Sequence, residues 1–236
     1  MSNFKPVLIM RQLLGTLSLL GVLQYFPAVV YAQIQPAPDT PSDPIEQVIA
    51  AKLMTAYPDG QFRSEQFISR AELASILVKT FKLDKRAGAT KQEVISVQDV
   101  PSSHWAYNDI QTVLKTGIMK GYRGDMFFPN QKINRAEALS IFAQAHGVFQ
   151  FPNDTVAKIL AKYPDSGNIP DWAKKSMATA LYEGFANTDE QGNINPLNPM
   201  TRGDMAYALS KFLERQEAPA PLLEEDLPSP ASLPIQ

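Results

Sequence analysis

Residues 127–142 read Phe127-Phe128-Pro129-Asn130-Gln131-Lys132-Ile133-Asn134-Arg135-Ala136-Glu137-Ala138-Leu139-Ser140-Ile141-Phe142, and their centre is a helix start. Asn134 is an N-cap residue, whose side-chain oxygen accepts from a free backbone N–H of the first turn. Glu137 stands three positions on, where an acid makes a relative of the capping box. The same tetrad occurs twice more, as Ser69-Arg70-Ala71-Glu72 and Thr201-Arg202-Gly203-Asp204. Ile68 with Leu73 and Met200 with Met205 fit a hydrophobic staple across the cap; Ile133 with Ala138 is a weaker one. Beyond the first cap, Leu73, Ile76, Leu77 and Phe81 form one apolar stripe at helical spacing.

Working outward, the whole middle of the chain repeats. A shift of 65 residues matches twelve positions identically between 45 and 76, among them Tyr57/Tyr122, Phe62/Phe127 and Arg70/Arg135. Average composition would give about two by chance. A shift of 67 aligns the second unit with a third, through Trp105/Trp172, Ala106/Ala173, Gly117/Gly184, Pro129/Pro196 and Arg135/Arg202. Three copies of one supersecondary unit follow, and with them a fold of stacked or pseudo-symmetric units. Each unit reads helix–loop–helix. In the second, Trp105, Ile110, Val113 and Leu114 lie at helical spacing, and Gly117 stands where a left-handed C-terminal cap belongs. In the third, Trp172, Ala173, Met177, Ala180 and Leu181 precede Gly184.

The cap, the acid and the stripe are all explained by folding, but the arginine is not. Arg70, Arg135 and Arg202 each sit at the first helical position, the positive end of the helix dipole, where a cation is mildly unfavourable. One account pairs each guanidinium with the nearby acid or with a neighbouring loop carbonyl. The other makes the helix N-terminus plus guanidinium an anion site suited to carboxylate or phosphate. Three copies at the same awkward position favour a shared role.

The combined pattern resembles the S-layer homology (SLH) family. In the second unit it runs Val97-Gln98-Asp99-Val100-Pro101, His104-Trp105-Ala106, Gly117-Ile118-Met119-Lys120-Gly121-Tyr122, Phe127-Phe128-Pro129 and Ile133-Asn134-Arg135-Ala136-Glu137. The third keeps Tyr163-Pro164-Asp165, Trp172-Ala173, Gly184 and Pro196; the first keeps Tyr57-Pro58-Asp59-Gly60-Gln61-Phe62. The resemblance implies an all-α, pseudo-threefold assembly of three units. It also implies a non-catalytic task, anchoring exported proteins to a secondary wall polysaccharide on peptidoglycan, through an acidic sugar with a pyruvate ketal. The partners implied are that polymer and an outer-membrane or S-layer protein. Carried over by match, the contacts are Arg70, Arg135 and Arg202 for the carboxylate, Trp105 and Trp172 for a sugar face, Asp99 and Asp165 for sugar hydroxyls, and Gly121 and Tyr122 for groove shape. Core packing is the alternative for the two tryptophans, and loop capping for the two aspartates. The first unit departs from the pattern: Thr40 holds its tryptophan position and Pro44 falls where Asp109 stands, so its first helix is short. The groove that would use the front of that unit is therefore the doubtful one.

Composition narrows the chemistry. The 236 residues include no cysteine and two histidines, and carry a formal charge of −2. Thiolate sites, disulfides and a cysteine nucleophile are excluded, the two histidines leave little room for a histidine-built metal centre, and no basic excess supports nucleic-acid binding. No phosphate loop or nucleophile elbow is present, so we expect neither enzyme nor cofactor. Residues 1–32 read as an export signal, with Lys5 and Arg11 ahead of an apolar run and Val30-Tyr31-Ala32 as the cleavage pattern. Residues 33–44 read as a proline-rich linker, 45–83, 97–147 and 163–213 as the repeats (the first truncated), and 217–236 as an acidic, proline-rich disordered tail. No membrane span is expected once the signal is removed, and the place of action is the periplasm, wall or cell surface. Two functional classes stand: a carbohydrate-binding wall anchor, or an envelope assembly module whose repeats have lost sugar binding.

Overall fold

The computed structural model describes residues 43–90, 93–147, 149 and 151–217; the expected signal, residues 33–42 of the linker and 218–236 of the tail lie outside the described residues. The described part is helical, with α1 (Pro44–Ala50), α2 (Arg70–Phe81), α3 (Tyr107–Lys115), α4 (Arg135–His146), α5 (Asn153–Leu160), α6 (Lys174–Tyr182) and α7 (Arg202–Glu217). The three units supply α1 and α2, α3 and α4, and α6 and α7. The all-α, three-repeat expectation therefore holds.

The caps form as the tetrads predict, with one difference. Ser69 and Glu72 make a reciprocal capping box, and Thr201 and Asp204 exchange the same pair of bonds at 3.0 Å each. Asn134 accepts from the Glu137 N–H, but the Glu137 carboxylate turns away toward Arg70. Gly117 and Gly184 take left-handed turns after α3 and α6, with φ of 70° and 73°. Lys52 makes the matching turn in the first unit at φ 58°. At the front of that unit the linker ends two residues early. Asp43 caps α1, and Pro44 takes the first helical position, where its missing N–H is no loss. The helix has only 7 residues, as expected of a truncated unit. Between the second and third units, α5 occupies a segment that the repeat pattern leaves unassigned. Val156, Ile159 and Leu160 bury one face of it against α6.

Packing runs between units rather than within them. α2 packs on α3, α4 on α6 and α7 on α1, so the second helix of each unit covers the first helix of the next and the third unit closes on the first. Isolated β-bridges at the caps repeat the cycle, pairing Ser69 with Lys132, Asn134 with Pro199 and Thr201 with Phe67. The three second helices meet through aromatic side chains. Phe142 and Phe212 each lie 5.1 Å from Phe81, centroid to centroid, edge to face, and Phe185 lies 5.2 Å from Phe142. Among the described residues, no helix is long and apolar enough to cross a membrane.

Phe142 is fully buried where all three units contribute. Phe142→Ala should therefore lower stability by about 3–5 kcal/mol. In urea melts followed by circular dichroism, the expected result is one transition at a lower midpoint, not the separate loss of one unit.

Candidate functional site

The arginines at the helix starts point into the loop of the following unit. Arg70 donates from Nε to the Phe127 carbonyl and from Nη2 to the Lys120 carbonyl, both at 2.8 Å. Its Nη1 reaches Glu137 Oε1 at 3.1 Å and the Tyr122 hydroxyl at 3.4 Å. Arg135 repeats the arrangement in the third unit, with Nε on the Ile194 carbonyl (2.7 Å), Nη2 on the Asn187 carbonyl (2.6 Å) and Nη1 paired with Asp204 (2.7 Å). Arg202 closes the cycle on the first unit, through the carbonyls of Phe62 (2.9 Å) and Thr55 (2.6 Å), with Glu72 at 3.7 Å. All three side chains are buried. Of the two accounts open for these arginines, pairing with neighbouring loop carbonyls and acids describes their bonds. The loop and the acid belong to the next unit, not to the arginine's own.

The same cycle uses up the amides at the helix starts. The N–H groups of Arg70, Arg135 and Arg202 donate to the carbonyls of Gln131, Asn198 and Gln66. Those of the next residues, Ala71, Ala136 and Gly203, donate to Pro129, Pro196 and Ser64. The third amide of each helix goes to the cap side chain. The helix N-terminus is therefore not an open anion site, because protein carbonyls already fill it. On Gly203, which stands where the other tetrads have alanine, a Cβ would lie 3.2 Å from the Ser64 Cβ and 3.3 Å from its carbonyl oxygen.

Beside each latch lies a groove at the seam between units. The first is lined by Tyr57, Glu72, Lys79 and Arg202, and by Trp105 from the second unit. The second is lined by Tyr122, Lys120, Glu137 and Arg70, and by Trp172 from the third unit. These two are equivalent position by position under the repeat shifts. Trp105 and Trp172 are 64% and 63% exposed, so neither is a core residue. The third groove is lined by Phe67, Arg135, Asn187, Asp189, Asn198 and Asp204, among others. Its tryptophan position is Thr40, outside the described residues, and the chain has no third tryptophan.

The remaining expected residues take distinct places. Asp99 accepts from the N–H groups of Phe127 and Phe128 at 2.8 and 2.6 Å, and Asp165 accepts from Ile194 and Asn195 at 2.8 and 2.7 Å. Each carboxylate spans the loop that receives an arginine. It holds a residue at positive φ, Phe128 at 55° or Asn195 at 52°. Gly121 and Tyr122 line the second groove, and a Cβ on Gly121 would stand 3.0 Å from the Met126 carbonyl oxygen. The Tyr122 ring covers the Arg70 guanidinium at 4.7 Å, opposite Phe127, just as Tyr57 and Phe62 flank Arg202. Burial pushes the Tyr122 hydroxyl above its ordinary pKa, with Glu137 adding to the effect and Arg70 opposing it. The contacts carried over by match include neither Tyr57 nor the lysines Lys79 and Lys120; the identity of Tyr57 with Tyr122 was the signal available for the first.

Comparison with known proteins agrees with the division into three units. The family model described as "S-layer homology domain" matches residues 37–74, 98–139 and 162–206. The "Surface-layer 125 kDa protein" of Lysinibacillus sphaericus is 27% identical over 177 residues, covering 74% of this chain and 14% of that protein. The "Cellulosome-anchoring protein" of Acetivibrio thermocellus is 33% identical over 159 residues, covering 63% of this chain and 32% of that protein. "Exoglucanase XynX" of Acetivibrio thermocellus is 25% identical over 174 residues, covering 73% of this chain and 15% of that protein. The chain thus spans under a third of the length of these relatives.

Two outcomes follow from the latches. Arg135→Ala leaves Asp204, only 15% exposed, without its cation, and should cost about 3–5 kcal/mol in urea unfolding. Burial pushes the Asp204 carboxyl up, but Arg135, Asn187 and the Thr201 N–H together hold it below its ordinary value of 3.8. A depressed folded-state pKa contributes stability that is present above the unfolded value and lost as pH falls through the folded one. Unfolding midpoints should therefore drop as pH is lowered beneath about 4, and Asp204→Asn should flatten that drop.

Proposed function

The chain belongs to the S-layer homology domain family. From that premise we propose that it is a non-catalytic envelope anchor that binds an acidic, pyruvate-ketal type of polysaccharide attached to peptidoglycan. One observation carries the proposal: two large indole faces lie open to solvent, each beside a guanidinium and a lysine, in two grooves with the same plan. An exposed tryptophan contributes nothing to the core and presents a flat, electron-rich face, on which the C–H face of a sugar ring can lie. The adjoining cations suit a carboxylate on that sugar.

Three supports come from outside the grooves. One relative is called a cellulosome-anchoring protein and another a surface-layer protein, and both share this region. An exoglucanase shares it as well, over 15% of its length. A part common to proteins of such different names is suited to attachment rather than to any one reaction. Residues 1–32, read as an export signal, would deliver the chain to the envelope.

The test is sedimentation of the protein with purified sacculi. Wild type should pellet with sacculi that keep their secondary polymer and stay in solution with chemically stripped ones. Trp105→Ala with Trp172→Ala should abolish pelleting while leaving stability within about 0.5 kcal/mol, since both rings are exposed. Arginine variants are unsuited to this test because they open the latches. Undiminished pelleting of the double tryptophan variant, or equal pelleting with stripped sacculi, would reject the proposal; wild type that never pellets would favour an assembly module instead.

A further inference from the structure

We propose that the chain holds anionic saccharide in the first and second grooves only, and that the third groove is built to exclude it. The inference rests on the saccharide reading above and divides the three seams by chemistry.

Charge is the first difference. In the first groove Arg202 and Lys79 face Glu72, and in the second Arg70 and Lys120 face Glu137, leaving one net positive charge in each. The lysines come from different positions in the repeat: the first groove has Thr55 where the second has Lys120, and the second has Gln144 where the first has Lys79. Both grooves nonetheless reach the same balance. The residues lining the third are Arg135, Asp204 and Asp189 among the charged ones, one net negative charge; Lys211, which holds the place of Lys79, is paired with Glu214, and the Lys132 ammonium lies over the Phe67 ring at 4.4 Å. Asp189 occupies the place of Tyr57 and Tyr122. Hydrogen bonds from the Asn195 and Asn193 side chains and the Asn193 and Gln191 N–H groups bring its pKa down to about 2, so it is ionised at any physiological pH.

The arginines differ too. A guanidinium has five N–H donors. Arg202 makes two hydrogen bonds to protein, and its Nη1 meets Glu72 only at 3.7 Å, so that nitrogen is left for a ligand. Arg70 is more engaged, with Nη1 shared between Glu137 and the long contact to Tyr122. Arg135 is the most engaged, because its Nη1 meets both the Asn187 side chain at 2.9 Å and Asp204 at 2.7 Å. The repeat positions that supply aromatic rings to Arg70 and Arg202 hold Asp189 and Ile194 in the third unit. With no tryptophan, a more fully engaged guanidinium and a carboxylate in place of the tyrosine, the third groove lacks the plan that the first two share. Repulsion from one solvated carboxylate about 4 Å from the ligand's own weakens binding about fivefold.

The experiment is a binding count on the full chain. The probe is a methyl hexosaminide carrying a 4,6-pyruvate ketal, titrated to saturation and followed by native mass spectrometry and by indole fluorescence. Wild type should take two equivalents, Trp105→Ala and Trp172→Ala one each, and the double variant none. A third equivalent, a single equivalent on wild type, or one that survives loss of both tryptophans would overturn the two-groove division. No binding by wild type, together with no pelleting on polymer-bearing sacculi, would instead remove the saccharide reading on which the division stands.

Discussion

A buried guanidinium that finds its partners in the next repeat is the interaction on which the molecule depends. Each of Arg70, Arg135 and Arg202 leaves the start of its own helix and satisfies backbone carbonyls of a loop that has no regular structure to satisfy them. The exchange is mutual. The loop gains a rigid scaffold of donors, and the arginine gains the partners without which a buried charge would be costly. The acid of the neighbouring cap adds the counter-charge. Three such exchanges, arranged head to tail, make a ring in which no unit is complete without another.

That geometry also decides where a ligand can sit. Because helices pack between units, three grooves lie at the seams, each beside a latch. The same residues therefore hold the fold and furnish the floor of the groove. The parts that vary are the tryptophans and lysine side chains, which the latch does not use, and the position of Tyr57, Tyr122 and Asp189, whose tyrosines lie over the guanidinium. In the first two grooves these parts converge on one plan by different substitutions, whereas in the third they diverge.

Much of this was legible beforehand. The caps, the left-handed glycine turns and the three helix pairs are local features, written in tetrads and in spacing, and the structure follows them. The shortened first helix was also legible, from Pro44, although that proline belongs to the helix and not to the linker. The arginine partners were not legible, because they lie 50 to 147 residues away and no local pattern connects them. The exposure of Trp105 and Trp172 was undecidable for a related reason. Each begins an apolar stripe, and only the neighbouring unit determines whether that end of the stripe is covered. Helix α5 was not legible because it falls between the copies and so belongs to no repeat.

The bonds from Arg202 to Phe62 and Thr55 join residues 140 and 147 positions apart. They are the contacts that seal the first unit, and they are made by the last. A chain threaded N-terminus first through a membrane would bring out its first repeat long before the residue that locks it. Contacts of such separation form late and slow folding, because a long loop must close first. In a chain that emerges N-terminus first, the first repeat thus stays unsealed until the last one arrives.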